Sequence, residues 1–166
     1  MSRGLGDVYK RQTQKHEPGR VALQLRVDVQ KAGRKNICRF GRDEEELEGL
    51  SWRVKVTDPD GRVILTETCP EEAVIENPRL WWPNGYGEQP LYLVEAELLK
   101  DGNVLDSWSG RIGLRTMGVH REKDEYGEQF AHEVNGVRIF AMGADYIPED
   151  NILSRVTPER TYSLLK

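Results

Sequence analysis

Residue types that could do chemistry gather in a few places along the chain. Leu80 to Tyr92 reads Leu-Trp-Trp-Pro-Asn-Gly-Tyr-Gly-Glu-Gln-Pro-Leu-Tyr and holds two of the four tryptophans and two of the eight prolines. Pro83 and Pro90 fix φ and Asn84-Gly85 supplies the positive φ of a tight turn, so this stretch is expected to be rigid. Paired indoles on a rigid turn suit either a sugar-stacking platform or an aromatic plug between structural layers. Glu44, Glu45, Glu46 and Glu48 form a run that could serve metal or acid/base chemistry. Consecutive like charges repel, however, and the run reads as a solvated connector. His120 and His132 lie far apart with no ligand spacing and read as structural. Cys38 and Cys69 have no further ligands at metal spacing and indicate no disulfide framework, so they read as free thiols.

The whole chain narrows the classes of partner. Its 166 residues are 37% hydrophobic and 31% charged, enough apolar material for one modest core. A net charge of -4 leaves no basic stripe to neutralise phosphates, so no nucleic-acid partner is expected. No apolar run approaches the roughly 20 residues of a membrane helix, so no membrane partner is expected either.

The elements that must position these residues are mainly strands. Val21, Leu23, Leu25, Val27 and Val29 alternate with polar neighbours, as in a half-buried strand. After a basic turn beginning at Lys31, Ile37 to Phe40 offers a short strand. Leu50 to Thr57 and Arg62 to Thr68 flank Asp58-Pro59-Asp60-Gly61, which predicts a hairpin. Ala73 to Glu76 offers a short strand, and Tyr92 to Lys100 with Val104 to Gly113 predicts a second hairpin. Strands about every ten residues with little helical periodicity argue for an immunoglobulin-like antiparallel β-sandwich. Beyond Thr116 the pattern changes. A short strand ends at Val119 to Arg121, Asp124 to Glu128 is a polar turn, and Asn135-Gly136 joins Phe130–Val134 to Val137–Ala141. A loop from Met142 to Asp150 then leads to Thr157-Pro158-Glu159, an N-cap, a first-turn proline and a dipole-favoured acid. Strand, loop and helix make the unit from which α/β barrels are built.

Both ends of the chain suggest a piece of something longer. Asp7 to Gln12 resembles one reading frame through a transposon end used to tag DNA libraries, so residues 1–12 are expected to be a sequencing scar or disordered. The helix begun at Thr157 reaches Lys166 without a terminating cap. The expected division is therefore a sandwich over residues 13–122 and a barrel start over residues 123–166.

Taken in this order, the motifs resemble glycoside hydrolase family 2, most closely its β-mannosidase branch. Asn77 to Tyr92 resembles that branch's form of a signature that other branches write more simply, keeping Leu-Trp, Pro and Leu-Tyr. Ile112-Gly113-Leu114-Arg115-Thr116 resembles the Gly-Phe-Arg segment that closes the family's sandwich, and Val134 to Ala144 resembles the approach to its catalytic barrel. The resemblance implies a jelly roll, an immunoglobulin-like sandwich and a (β/α)8 barrel, with β-glycosides hydrolysed with retention by two glutamates. This chain would hold the sandwich and the first strand, loop and helix start of the barrel. No catalytic residue and no cofactor are expected in it, because both glutamates lie on later strands. The implied partners are a β-mannoside or oligosaccharide substrate of the complete protein, and the jelly roll and barrel of that same protein.

Asp145 and Tyr146 follow the first barrel strand, on the side where barrels place their ligands. The branch commonly has Asn-Trp there. A carboxylate accepts from two sugar hydroxyls and a tyrosine stacks or donates, so this pair either lines the sugar pocket or shapes the loop. Arg115 could bind an anion, and is expected instead to tie the sandwich to the barrel through its donors. The position of the aromatic turn between two sandwich strands favours the plug over the platform. Two alternatives to a β-mannosidase remain open. One is another family 2 activity, on a galactoside, glucuronide or glucosaminide, and the other is a non-catalytic sandwich that binds carbohydrate or protein.

Overall fold

A computed structural model of the chain describes residues 6–30 and 37–166, with the side chains of residues 6–12, 44 and 46 left aside. The first sheet is built on β2 (Arg20–Gln30). On one edge β2 pairs antiparallel with β1 (Gly6–Glu17). On its other edge it pairs at one end with β3 (Ile37–Arg39) and at the other with β6 (Glu72–Glu76). The second sheet runs in the order β5 (Val63–Thr68), β4 (Leu50–Thr57), β7 (Tyr92–Lys100) and β8 (Asn103–Ile112). Both expected hairpins are present in it, and the pairing is that of an immunoglobulin-like sandwich.

Period-two alternation decides what the sheets bury. Val21, Leu23, Val27 and Val29 of β2 and Ala73 and Ile75 of β6 meet Trp52, Val54 and Val56 of β4 and Tyr92, Val94 and Leu98 of β7 in one core. Each fully buried Val or Leu contributes about 1.5 to 3 kcal/mol by leaving water. The outward residues are charged and pair across strands, as Arg53 does with Glu97 at 2.6 Å and Lys55 with Glu95 at 2.6 Å. Asp28 is buried on the outer side of β2, where Arg26 Nε and Arg39 Nε donate to it at 3.0 and 2.8 Å. Two guanidinium groups offset the cost of desolvating that carboxylate.

A third sheet follows, in the order β11 (Val137–Ile139), β10 (Gly127–Val134) and β9 (Met117–Asp124). Asn135 and Gly136 carry φ of 51° and 77°, the two left-handed positions that a two-residue hairpin needs. The chain ends with α1 (Pro158–Leu165), where the Thr157 hydroxyl accepts the Arg160 N–H at 3.3 Å as the expected N-cap. No helix among the described residues is long and apolar enough to cross a membrane.

Several expectations need correction. Backbone pairing runs from Gly6 opposite Gln30 to Gln12 opposite Leu25, so β1 includes residues 6–12, which had been set outside the fold. The physical reason is that β2 presents a full edge of donors and acceptors, and the Pro18-Gly19 turn sends the preceding chain along it. Residues 1–5, and the basic turn beginning at Lys31, lie outside the described residues. The short strand near Val119 is longer than expected and pairs with β10, so sheet membership changes after Thr116 rather than at residue 122. The strand expected over Val137–Ala141 stops at Ile139, and the N–H of the next residue, Phe140, donates to the Tyr86 hydroxyl.

Candidate functional site

The connection from β6 to β7 carries the aromatic turn, and it is held at both ends. At its far end Tyr92 is buried at the start of β7, and its hydroxyl accepts the Arg79 N–H at 2.9 Å, the tyrosine corner of such sandwiches. Between the two ends Trp81 donates its N–H to Leu114 O at 2.9 Å, and its carbonyl accepts from Asn135 Nδ2 at 3.0 Å. Its ring lies under the Arg115 guanidinium, 4.6 Å from the centroid. A Cβ at Gly113 would sit 2.8 to 3.0 Å from Trp81 atoms, which is why the residue before Leu114 must be glycine. Trp81 is half-buried and Leu80 is the residue that packs on the core, so the turn is less a plug than a bracket.

The other half of the bracket comes from the third sheet and from β1. Asn135 accepts the Thr116 N–H on Oδ1 at 3.0 Å while donating to Trp81, so one side chain joins the sandwich end to the β10–β11 hairpin. Gln14 accepts the Arg115 N–H at 3.0 Å and donates to Gly113 O at 3.0 Å. His16 lies 3.0 Å from the same Gln14 oxygen, and burial pushes its imidazole below the usual range. Arg115 was expected to tie the sandwich to the barrel through its donors; the contacts it makes here, its guanidinium over Trp81 and its backbone N–H to Gln14, lie within the sandwich. The Asn-Gly pair signalled a turn, but nothing in the sequence marked Asn135 or Gln14 as cross-links.

Beyond the bracket lies the loop from Phe140 to Ile152. Phe140 N–H donates to Tyr86 Oη at 2.9 Å, which ties the start of the loop to the aromatic turn. Tyr146 donates its hydroxyl to Glu149, whose second oxygen accepts from Thr161 Oγ1 at 2.8 Å, and this ties the end of the loop to α1. The Tyr146 hydrogen bond holds the Glu149 carboxyl below its ordinary range, and the same bond raises the Tyr146 hydroxyl. Asp145 is exposed and makes no hydrogen bond or ion pair among the described residues, so its two oxygens are open to donors. The two residues singled out from the sequence are therefore both exposed, on a loop fixed at both ends. Glu149, which fixes Tyr146, was not foreseen.

The remaining candidates stay structural. His120 lies 3.2 Å from Glu122, and His132 meets the Phe130 ring edge-on at 5.6 Å. Glu45 and Glu48 are exposed around a single-turn helix at Glu44–Leu47. Cys38 is buried and Cys69 exposed, and neither forms a disulfide among the described residues. A cavity of about 640 Å3 between the sheets is lined by Phe40, Leu47, Leu50 and Trp52, and by neither Asp145 nor Tyr146.

Comparison with known proteins places these features. The model of the glycosyl hydrolases family 2 matches residues 7–115, well over half of the chain. β-Mannosidase B of Emericella nidulans is 34% identical over 145 residues, covering 87% of this chain and 16% of its own length. The crystal structure of β-D-mannosidase from Dictyoglomus thermophilum superposes with a TM-score of 0.71 and 27% identity, over 97% of this chain and 19% of that one. A Parabacteroides merdae β-glucuronidase matches at a TM-score of 0.51 and 15% identity over 81% of the chain, which shows a shared fold. The chain spans less than a fifth of the length of each of these two mannosidases. An immunoglobulin-like sandwich closed by Gly113-Leu114-Arg115 and braced by its aromatic turn fits that match, and the chain belongs to the glycosyl hydrolases family 2.

Proposed function

We propose that this chain is the sandwich and the barrel start of a longer retaining β-mannosidase that removes terminal β-D-mannose residues. The observation that carries the reading is that the likeness to a solved β-D-mannosidase covers nearly the whole chain, continuing past the sandwich. In this reading the sandwich runs to Thr116, β9 to β11 lead into the barrel, and β11, the loop and α1 are its first strand, loop and helix. Phe140, Met142, Ile147 and Leu153 are 69 to 81% exposed, and the rest of the barrel would cover them. Asp145 accepts from hydroxyls of the terminal sugar and Tyr146 stacks beside it, at the strand end where barrels bind ligands. Both catalytic glutamates belong to later strands, so the chain by itself only supports and begins the site.

The test is an assay of the complete protein against aryl β-mannoside, galactoside, glucuronide and glucosaminide. The mannoside is expected to be turned over best, and this chain alone is expected to hydrolyse none of them. Asp145→Ala in the complete protein is expected to lower kcat/KM for the mannoside by about 10- to 150-fold, the value of hydrogen bonds to a charged acceptor. Preference for another sugar would move the activity within the family, and absence of glycosidase activity would leave a binding module.

A further inference from the structure

We propose that Tyr86, a residue of the sandwich, is a positioning residue for the loop that carries Asp145 and Tyr146, acting through its hydroxyl on the backbone of Phe140. The inference rests on the function proposed above, since it assigns that loop to the sugar.

The first step is the rigidity of the turn that carries Tyr86. Tyr86 N–H donates to Pro83 O at 3.0 Å and Trp82 N–H donates to Glu88 O at 2.9 Å, closing the turn from both sides. Gly85 has φ of 85°, and a Cβ at Gly87 would stand 2.9 Å from the Trp82 ring, so the turn has little room to relax. Trp81 at its base is held to Leu114 and Asn135. The Tyr86 hydroxyl therefore has a fixed place relative to the sandwich.

The second step is what that hydroxyl holds. Phe140 is the first residue after β11, and its N–H donates to Tyr86 Oη at 2.9 Å where the strand ladder has ended. The Phe140 side chain is 77% exposed, so packing does little to hold this point. Residues 141–148 are all exposed, and the next cross-link is Glu149 with Tyr146 and Thr161. The path of the loop through Asp145 is then set by two pins, and only the first belongs to the sandwich. In this way the aromatic turn helps to aim the loop that carries Asp145 and Tyr146. Misplacement of a binding group by about 1 Å from a distant change is enough to affect catalysis.

Tyr86→Phe removes the acceptor oxygen and leaves the ring, and it is the test. In this chain the variant is expected to keep its melting temperature while the Phe140 amide exchanges with solvent about tenfold faster or more, as a freed amide does. In the complete protein, KM for an aryl β-mannoside is expected to rise about three- to tenfold, whereas a smaller folded fraction would lower kcat and leave KM unmoved. Unchanged exchange at Phe140 would overturn the contact, and freed exchange with unchanged KM would overturn the positioning role. A drop in melting temperature with unchanged KM would make Tyr86 merely structural. A wild-type complete protein inactive on β-mannosides would instead remove the proposed function, and this role with it, whatever the exchange shows.

Discussion

Gly113 and Trp81 compete for the same space, which makes them the most testable pair in the bracket. A methyl group at position 113 would press on the Trp81 ring, and Gly113→Ala is expected to cost about 1 to 3 kcal/mol, the range of overpacking. Trp81 is only half-buried, so Trp81→Ala should cost about 2 kcal/mol, below the roughly 3 to 5 kcal/mol of a fully buried tryptophan. With the ring gone the added methyl has room, so the double variant should cost less than the sum of the two singles. Urea denaturation of the four proteins gives the coupling directly. Strict additivity would show that ring and glycine do not meet.

Loop and helix depend on one another more than on the core. α1 has eight residues and no buried side chain, too short to persist on propensity alone. It is tied to the loop by the Glu149 carboxylate, which holds both Tyr146 and Thr161, and by Arg160, which pairs with Asp150 at 3.8 Å. The folded pKa of Glu149 lies below its unfolded value, so its contribution is present above the ordinary carboxylate range and is lost as pH falls through the lower, folded value. Amides of α1, referenced to those of β2, should therefore lose protection as pH is lowered through and below the ordinary carboxylate range. Glu149→Gln should weaken that dependence, leaving the part carried by the Asp150–Arg160 pair, and an α1 indifferent to pH in the unaltered chain would dismiss the tie.

Across the whole molecule, stability and association should separate. The core lies between the two sandwich sheets, and Leu23 is wholly buried there, so Leu23→Ala is expected to cost about 2 to 5 kcal/mol in this chain. Phe140, Ile147 and Leu165 are 72 to 81% exposed, and Phe140→Ser is expected to change unfolding free energy by about 0.5 kcal/mol or less. The exposed apolar residues of the loop and α1 should instead make the chain associate as its concentration rises, and the serine variant should associate less. Light scattering over a concentration series reads this, and equal association of the two proteins would clear Phe140.

The sequence alone determined the strands of both sandwich sheets after Arg20, their turns, the helix cap at Thr157 and the family likeness. It could do so because alternation and turn chemistry act between residues a few positions apart. It did not show β1 before Arg20, since a strand whose pairing comes from its neighbour's open edge needs no pattern of its own. The cross-links were equally hidden. Tyr86 meets Phe140 across 54 positions, Asn135 meets Trp81 across 54, and Gln14 meets Arg115 across 101. Each is one polar contact between groups common in any sequence, and only tertiary packing, of β1 against the end of the sandwich or of the sandwich against the following hairpin, brings them within 3.0 Å. Sequence therefore picked out Asp145 and Tyr146, and tertiary structure decided what holds them in place.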